Sequence, residues 1–325
     1  MDSSNRAVII LVIGDLLFGG LGLFVRHFNG LGLDPTTVSF IRSSTVFLVV
    51  LSVIIMFRRD CLRIDPKGLL MLMSFGVFKF ISDITFLFAL ENTSLSLATV
   101  LQMTFPYFVL ILSFLVFRES ITFRKLFAMV VTFTGCTILI GGTLSNNYLS
   151  VEGMVAAIVS GMFLAAYVLG GTVSYTRGYH PAAYLLYGTM MSGILSFFLC
   201  DPDMLVSVLT LDEIPFILGL GILVTLIPVY IQAWSTKHLL PTTISVIATV
   251  EIVSATVIGA VFYGEALEPI DLLGIALVIC SIFLINARIY KGAKEYLSDN
   301  PQIKNILALK WSEYADVSPV RKRAR

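Results

Sequence analysis

The stretch at residues 94–117, SLSLATVLQMTFPYFVLILSFLVF, contains 24 residues and no Asp, Glu, Lys or Arg. Arg118 and Glu119 follow it immediately. An α-helix needs about 20 consecutive apolar residues to cross the hydrocarbon core of a bilayer. The stretch therefore predicts a membrane-spanning helix that ends at a charged turn in water.

Nine further stretches of similar length and composition lie on either side of it. The segments between them contain Gly, Pro, Asn and charged residues, which favour turns exposed to water. The pattern predicts an all-α integral membrane protein with ten transmembrane helices. The predicted spans are 7–25, 36–57, 68–90, 94–117, 122–142, 153–175, 181–200, 213–235, 241–263 and 267–287.

The whole chain has the composition of a membrane protein. Of its 325 residues 57% are hydrophobic and 13% are charged, and its mean hydropathy is +0.91. Soluble domains are about 25% charged, so the composition argues against a soluble enzyme, a nucleic-acid-binding protein and a coiled coil. The four cysteines are scattered and form no CxxC pair. We therefore expect neither a disulfide framework nor a metal site.

The positions of Lys and Arg predict the orientation. If the N-terminus is cytoplasmic, the inside segments contain 19 basic residues and the outside segments contain one, Arg26. Cytoplasmic loops carry the excess of basic residues in membrane proteins. The sequence therefore predicts that both termini are cytoplasmic, which requires an even number of spans. The compact loops favour the plasma membrane of a prokaryote-like cell.

The two halves of the chain share their segmentation. A shift of 146 residues places Pro35 on Pro181 and Glu119 on Glu265 without a gap, while the basic loops of the first half fall on loops without basic residues. Because five spans is an odd number, the second half is predicted to enter the membrane upside down. Such inverted repeats are typical of alternating-access transporters with a midplane site. The predicted units are a first five-helix repeat at 1–142, a second, inverted repeat at 143–287, and a basic cytoplasmic tail at 288–325.

Two stretches carry the same local pattern, in which a short polar turn leads to a helix that ends before a glutamate. The first runs from FALENTS at 88–94 through Phe105-Pro106 to FRE at 117–119, and the second from PTTIS at 241–245 through TVEI to YGE at 263–265. The pattern resembles that of the EamA-type transporters of the drug/metabolite transporter superfamily. Arg118 replaces the glycine of the family's first Gly-Glu, and Ile252 stands where the family often has Pro.

The resemblance implies a ten-helix 5+5 transporter, usually an exporter of amino acids or related metabolites. It also implies that spans 5 and 10 are peripheral while the other eight line a cavity. The expected partners are the lipid bilayer and a small-molecule substrate, with protons as a candidate coupling ion. We expect no nucleic acid and no cofactor, and either a monomer or a homodimer.

Five ionisable side chains lie within predicted spans, where charge is costly and usually faces a cavity or a partner. For Asp15 and Glu251 two interpretations stay open: exchange of a proton and cargo, or a structural bond between helices. Lys79 and Asp83 are four residues apart and share a helix face. They either neutralise each other or handle a substrate carboxylate. Arg42 either extends to the membrane surface or acts as an anion gate.

Uncharged side chains complete the candidate site. The amides and phenols that offer hydrogen bonds and aromatic faces are Gln102, Tyr107, Tyr230 and Gln232. Trp234 is interpreted as a residue of the aromatic belt at the membrane interface. Pro106 and Pro228 remove helix hydrogen bonds, so each is a candidate hinge or a static kink.

These features favour a secondary active transporter that exports amino acids or related compounds, with proton coupling suggested by the central carboxyls. The sequence contains no nucleotide-binding motif that would indicate ATP as the energy source. The alternatives are a multidrug transporter, a nucleotide-sugar or phosphate-ester exchanger, and a channel or lipid scramblase. An intramembrane enzyme is disfavoured because the three histidines all lie at span ends and no nucleophile–base motif occurs.

Overall fold

The computed structural model describes residues 3–93, 95–141, 150–264 and 268–286. Within those ranges the regular structure consists of fifteen α-helices, a short 3-10 helix at Arg59–Leu62 and a π-helical segment at Gly219–Leu226. The α-helices are α1 Ser3–Phe18, α2 Leu21–Gly30, α3 Pro35–Phe57, α4 Pro66–Asn92, α5 Leu95–Gln102, α6 Phe105–Phe117, α7 Phe123–Gly141, α8 Val151–Thr176, α9 Pro181–Phe197, α10 Pro202–Val208, α11 Ile214–Leu218, α12 Ile227–Ser235, α13 Pro241–Ala248, α14 Val250–Tyr263 and α15 Pro269–Asn286.

The prediction of an all-helical membrane protein is confirmed, while the number of crossings stays a prediction. Each of the ten predicted spans contains helix in its described part. Seven described helical segments are long and apolar enough to cross a bilayer, and α9 with α10, bent by 118°, would make an eighth. The apolar part of α15 is shorter, and α7 carries Arg124 and Lys125 in its first turn. The predicted tail at 288–325 lies outside the described residues.

Proline and a capping side chain fix the start of several helices. Asp34 precedes Pro35 at the start of α3 and accepts hydrogen bonds from the backbone N–H groups of Thr36 and Thr37 at 2.9 and 3.1 Å. Burial alone would raise the pKa of Asp34, but these bonds and those from the two threonine hydroxyls hold it below its usual range. Proline is favoured in the first helical turn because its missing N–H would have no partner there. These caps fix where the chain turns back into the bundle.

Two predicted spans are broken at equivalent places. The span at 94–117 consists of α5 and α6, and the span at 241–263 consists of α13 and α14. The starts of α5 and α13 are 146 residues apart, as are the ends of α6 and α14. Both spans end in a left-handed residue, Arg118 with φ 55° and Gly264 with φ 67°. Glycine adopts this conformation at no steric cost, whereas arginine is strained in it.

Helices from the two predicted halves pack against each other throughout the bundle. The main pairs are α4 with α8, α3 with α9, α1 with α12, α6 with α13 and α7 with α15. A Cβ atom at Gly76 would lie 2.3 Å from the carbonyl oxygen of Gly188, so only glycine allows this approach of α4 to α9. A Cβ atom at Gly19 would lie 2.5 Å from the carbonyl oxygen of Glu251, which fixes α14 against the end of α1. These contacts position the ionisable residues of the interior.

Candidate substrate cavity

Three of the predicted ionisable residues form one cluster. Arg42 on α3 donates from Nη2 to Oδ2 of Asp83 on α4 at 3.1 Å, and Lys79 on α4 donates from Nζ to Oδ1 of the same carboxylate. The three side chains are 13 to 21% exposed. Arg42 therefore turns to Asp83 rather than to the membrane surface. With two cations on one carboxylate, the cluster has a formal charge of +1 when all three are ionised.

A partly open cleft lies against the cations of this cluster. Small-molecule sites are concave and mostly apolar, with a few polar groups that orient the ligand. Helices of both predicted halves contribute to the wall, because α3 and α4 meet α8, α9 and α12 there. The lining residues are Arg42, Ser43, Val46, Lys79, Tyr167, Leu185, Gly188, Thr189, Ser192, Thr225 and Val229.

A second, smaller cleft adjoins the first and shares Tyr167 and Val229 with it. Gln232 and Thr236 supply polar groups to its wall. Tyr167 stacks on Tyr184 with 5.4 Å between the ring centroids. The two clefts therefore meet at an aromatic side chain and a valine.

Asp15 and Glu251 form a second ionisable group near these clefts. Asp15 is fully buried, and its Oδ1 accepts a hydrogen bond of 2.7 Å from Nε2 of Gln232. Its Oδ2 is buried without a partner among the described residues. Glu251 is close enough to interact electrostatically with both Asp15 and Lys79. The described contacts therefore form two groups: Asp83 binds Arg42 and Lys79, and Asp15 binds Gln232 of the second cleft.

The other predicted site residues lie elsewhere. Gln102 donates to Oγ of Ser160 at 2.7 Å, and Tyr107 packs edge-on against Phe133 with 6.1 Å between ring centroids. Tyr230 is 38% exposed. None of these three predicted residues lines either described cleft.

The remaining gate and hinge candidates have defined positions. Trp234 packs against the buried core and lies 5.0 Å from the ring of His238. Pro106 lies in the first turn of α6, directly after the break in its span. Pro228 lies in the first turn of α12, directly after the π-helical segment. Pro106 therefore follows the break between α5 and α6, and Pro228 follows a π-helical stretch within the continuous helical segment Ile214–Ser235.

Sequence reasoning did not identify Glu119 as an interior residue. Its carboxylate is 2% exposed, pairs with Nζ of Lys125 at 2.8 Å and accepts hydrogen bonds from the hydroxyls of Ser113 and Thr242. Thr242 belongs to α13, so Glu119 joins the two predicted halves. The repeated pattern, which ends in a glutamate in both halves, could have marked Glu119 as an interior residue. Because Arg118 precedes it, the sequence instead favoured a turn exposed to water.

The two ends of the bundle carry polar contacts of their own. Where α2 ends, Nε2 of His27 lies 2.7 Å from Oε2 of Glu213. Where α4 begins, the Tyr179 hydroxyl donates to Oδ1 of Asp65 at 2.6 Å. The Tyr179 hydroxyl and the N–H of Gly68 hold the pKa of Asp65 below its usual range, and the same bond raises the pKa of Tyr179. Each contact joins helices of different predicted halves across an end of the cleft region.

Comparison with known proteins agrees with the fold. A model of the EamA-like transporter family matches residues 5–141 and again residues 151–287. An uncharacterized transporter of Archaeoglobus fulgidus is 24% identical over 285 residues, covering 84% of this chain and 94% of the relative. A crystal structure at 16% sequence identity has the same fold, with a TM-score of 0.73 over 87% of this chain and 97% of that one. The protein therefore belongs to the EamA-like transporter family and is a multi-pass integral membrane transporter rather than an enzyme.

Proposed function

We propose that this protein is a secondary active transporter that exports amino acids or related small metabolites across the plasma membrane by alternating access. It crosses the membrane ten times as two inverted five-helix repeats, with both termini in the cytoplasm. The matched bounds of α5 with α13 and of α6 with α14 support the repeat. The 19 to 1 distribution of basic residues supports the orientation.

The observation that carries the proposal is the cleft between the two predicted halves, with Arg42 and Lys79 in its wall. Intramembrane charges are retained where they bind substrate or ions, because their insertion costs about 2.5–3.5 kcal/mol each on insertion scales. A cleft between inverted repeats near the middle of the bundle is where alternating-access transporters hold their cargo. Lys79 is central in α4, the helix Pro66–Asn92, which suits such a position.

Asp15 and Glu251 are the proposed proton carriers. Asp15 has one oxygen bonded to Gln232 and the other buried without a described partner, which leaves a position where a proton binds. The electrostatic interaction of Glu251 with both Asp15 and Lys79 connects that position to the cation cluster. A proton taken up at either carboxyl therefore changes the field at the substrate cleft.

Efflux from proteoliposomes loaded with a mixed pool of amino acids and small metabolites tests the proposal. We expect saturable loss of a subset of compounds, faster with an imposed pH gradient. Asp15→Asn and Glu251→Gln should each abolish the response to the gradient, because neither amide exchanges a proton at neutral pH. Glu152→Gln, which changes an exposed carboxylate in the first turn of α8, is the matched control and should leave efflux unchanged.

Two outcomes would overturn parts of this proposal. Selective efflux that ignores both the gradient and the two substitutions would leave facilitated transport and remove the coupling role of the carboxyls. Flux that rises linearly with concentration and shows no selectivity would replace the transporter with a channel or a scramblase.

A further inference from the structure

We propose that the larger cleft recognises the carboxylate of a small organic monoanion, and that Ser192 donates a hydrogen bond to that carboxylate beside Arg42 and Lys79. The inference rests on the proposed function and narrows its substrate class to the related metabolites, namely carboxylates without an ammonium group. It also predicts a preference: an acid without an ammonium group binds more tightly than the amino acid of the same skeleton.

The charges around the cleft are the first reason. Arg42 and Lys79 line it, whereas Asp83, which holds them in place, does not. A guanidinium has five N–H donors and an ammonium has three. The described bonds to Asp83 use one from each. The cations therefore have donors left for a second anion; Glu251 interacts electrostatically with Lys79 but makes none of the described bonds to either cation.

Ser192 is the second reason. The residue is 2% exposed and lies in the wall of the cleft, and its buried hydroxyl has no hydrogen-bond partner among the described residues. Buried hydroxyls are normally paired. The neighbouring hydroxyls of Thr189 and Thr225 already donate to the carbonyl oxygens of Leu185 and Leu220, each at 2.7 Å. The hydroxyls of Ser43 and Ser192 have no described hydrogen bond, and that of Ser192 is the buried one, so a ligand oxygen would supply the partner it lacks.

The rest of the wall is the third reason. Val46, Leu185 and Val229 are apolar, and no Asp or Glu is among the residues that line the cleft. An ammonium group on the ligand would lose its hydration without gaining a counter-charge from the wall, which is costly. A ligand with one carboxylate and a short apolar chain fits this wall. Its carboxylate would lie at Arg42 and Lys79, and its apolar chain would pack against Val46, Leu185 and Val229. Hydroxy or oxo acids and simple short-chain carboxylates have this chemistry.

Calorimetric titration of the full chain in lipid nanodiscs tests the inference. The probes are three matched sets, each with a 2-hydroxy acid, the amino acid and the amino-acid amide on one skeleton: lactate, alanine and alaninamide, and the corresponding sets of leucine and phenylalanine. We expect at least one set to bind in that order of affinity, with no binding of the amide. Ser192→Ala should weaken the hydroxy acid by about tenfold or more, as expected for a hydrogen bond to a charged group.

Ser174→Ala and Ser235→Ala are the matched controls. Both hydroxyls are buried without a described partner, as in Ser192, but neither residue lines a described cleft. They should bind the probes with unchanged affinity. Equal weakening in all three variants, tighter binding of an amide, or no binding of any carboxylate would overturn the inference. Efflux measured alongside separates the two proposals. If only amides were transported, the inference would be wrong and the proposed function would stand. If carboxylates bound but nothing was transported, the proposed function would be wrong and the inference would stand.

Discussion

Asp83 and Glu119 are both carboxylates paired with a lysine in a largely apolar bundle, yet their surroundings differ. Asp83 lies beside two cations next to a cleft, and its side chain is 19% exposed. Glu119 lies beside one cation and two hydroxyls, and its side chain is 2% exposed. The charge at Glu119 is balanced by the protein alone. The charge at Asp83 is overcompensated, which leaves room for a ligand.

The comparison separates two uses of a buried charge. A fully bonded ion pair links elements in one geometry, and removing one partner leaves the other uncompensated. A cluster with an excess charge is costly to bury in the empty protein and becomes favourable when an ion of opposite sign arrives. Glu119 is therefore a structural link between α6 and α13, and Asp83 is a support for the binding cations.

The largest expected effect is on stability at Glu119. Glu119→Ala removes the partner of Lys125 and the acceptor of the Ser113 and Thr242 hydroxyls, all at the junction of the predicted halves. We expect a loss of about 3 kcal/mol, at the low end for a broken buried pair, because Lys125 keeps its bond to the carbonyl oxygen of Ser120 at 2.6 Å. Thermal unfolding in detergent measures the loss.

Asp83→Asn is the contrasting variant for that experiment. It should reduce transport per folded molecule more than it reduces the unfolding temperature, because the cations lose the group that holds them at the cleft. Glu119→Ala should do the opposite. If both variants changed stability and transport in the same proportion, the distinction between a structural and a substrate-facing carboxylate would be wrong.

A smaller effect is expected at the turn that directs Glu119 into the bundle. Arg118 is exposed and has φ 55°, while Gly264 has φ 67° at the equivalent end of α14. Arg118→Gly should stabilise the protein by about 0.5–1 kcal/mol, because glycine adopts the left-handed conformation without strain. Arg118→Ala, which removes the charge but keeps the strain, should not. A gain of stability in the alanine variant instead would point to charge as the cause.

The smallest effect is expected at Asp65, a fully exposed carboxylate outside the membrane. Tyr179→Phe removes the hydroxyl that holds the pKa of Asp65 low. A lowered pKa in the folded state stabilises above the unfolded pKa of about 3.9 and ceases to do so as the pH falls through the folded value. The variant should therefore melt slightly below the native protein at pH 7, and the difference should shrink as the pH falls below about 3.9. A difference that did not shrink as the pH fell would show a packing effect.

The sequence predicts the helical segments well because the bilayer requires long apolar stretches, whose ends are visible as charges and prolines. Pro35, Pro181 and Pro241 all begin helices close to the predicted starts. The breaks at Gly19 and Thr249 were not predicted. These breaks depend on the distance between neighbouring helices, which cannot be inferred from the composition of each span.

The site was predicted in part. Because insertion of a charged side chain into a membrane costs free energy, charged residues within apolar stretches are rare and easy to recognise. The residues recognised in this way are Arg42, Lys79, Asp83, Asp15 and Glu251. Their pairing depends on the rotation of separate helices, so the bond between Arg42 and Asp83 was not foreseen. Nothing in the sequence marked Ser192 and Thr189 as site residues. A hydroxyl in a helix can donate to a carbonyl oxygen of the same helix, so its burial in the membrane costs little free energy and is common. Tyr230 stays a prediction: it is 38% exposed and lines neither described cleft.

The π-helical segment Gly219–Leu226 determines which way α12 faces. Relative to an α-helix, a π-helical turn accommodates an additional residue, and each residue of an α-helix advances the azimuth by about 100°. Gln232, which follows this segment, reaches Asp15 with the additional residue absorbed. Deleting one residue between 219 and 226 would let the segment close as an ordinary α-helix and leave Gln232 on the side of Asp15. Deleting one residue between 227 and 231, where the helix is regular, would instead turn Gln232 about 100° away from Asp15 without changing either side chain. The contact thus depends on chain length as well as on residue identity.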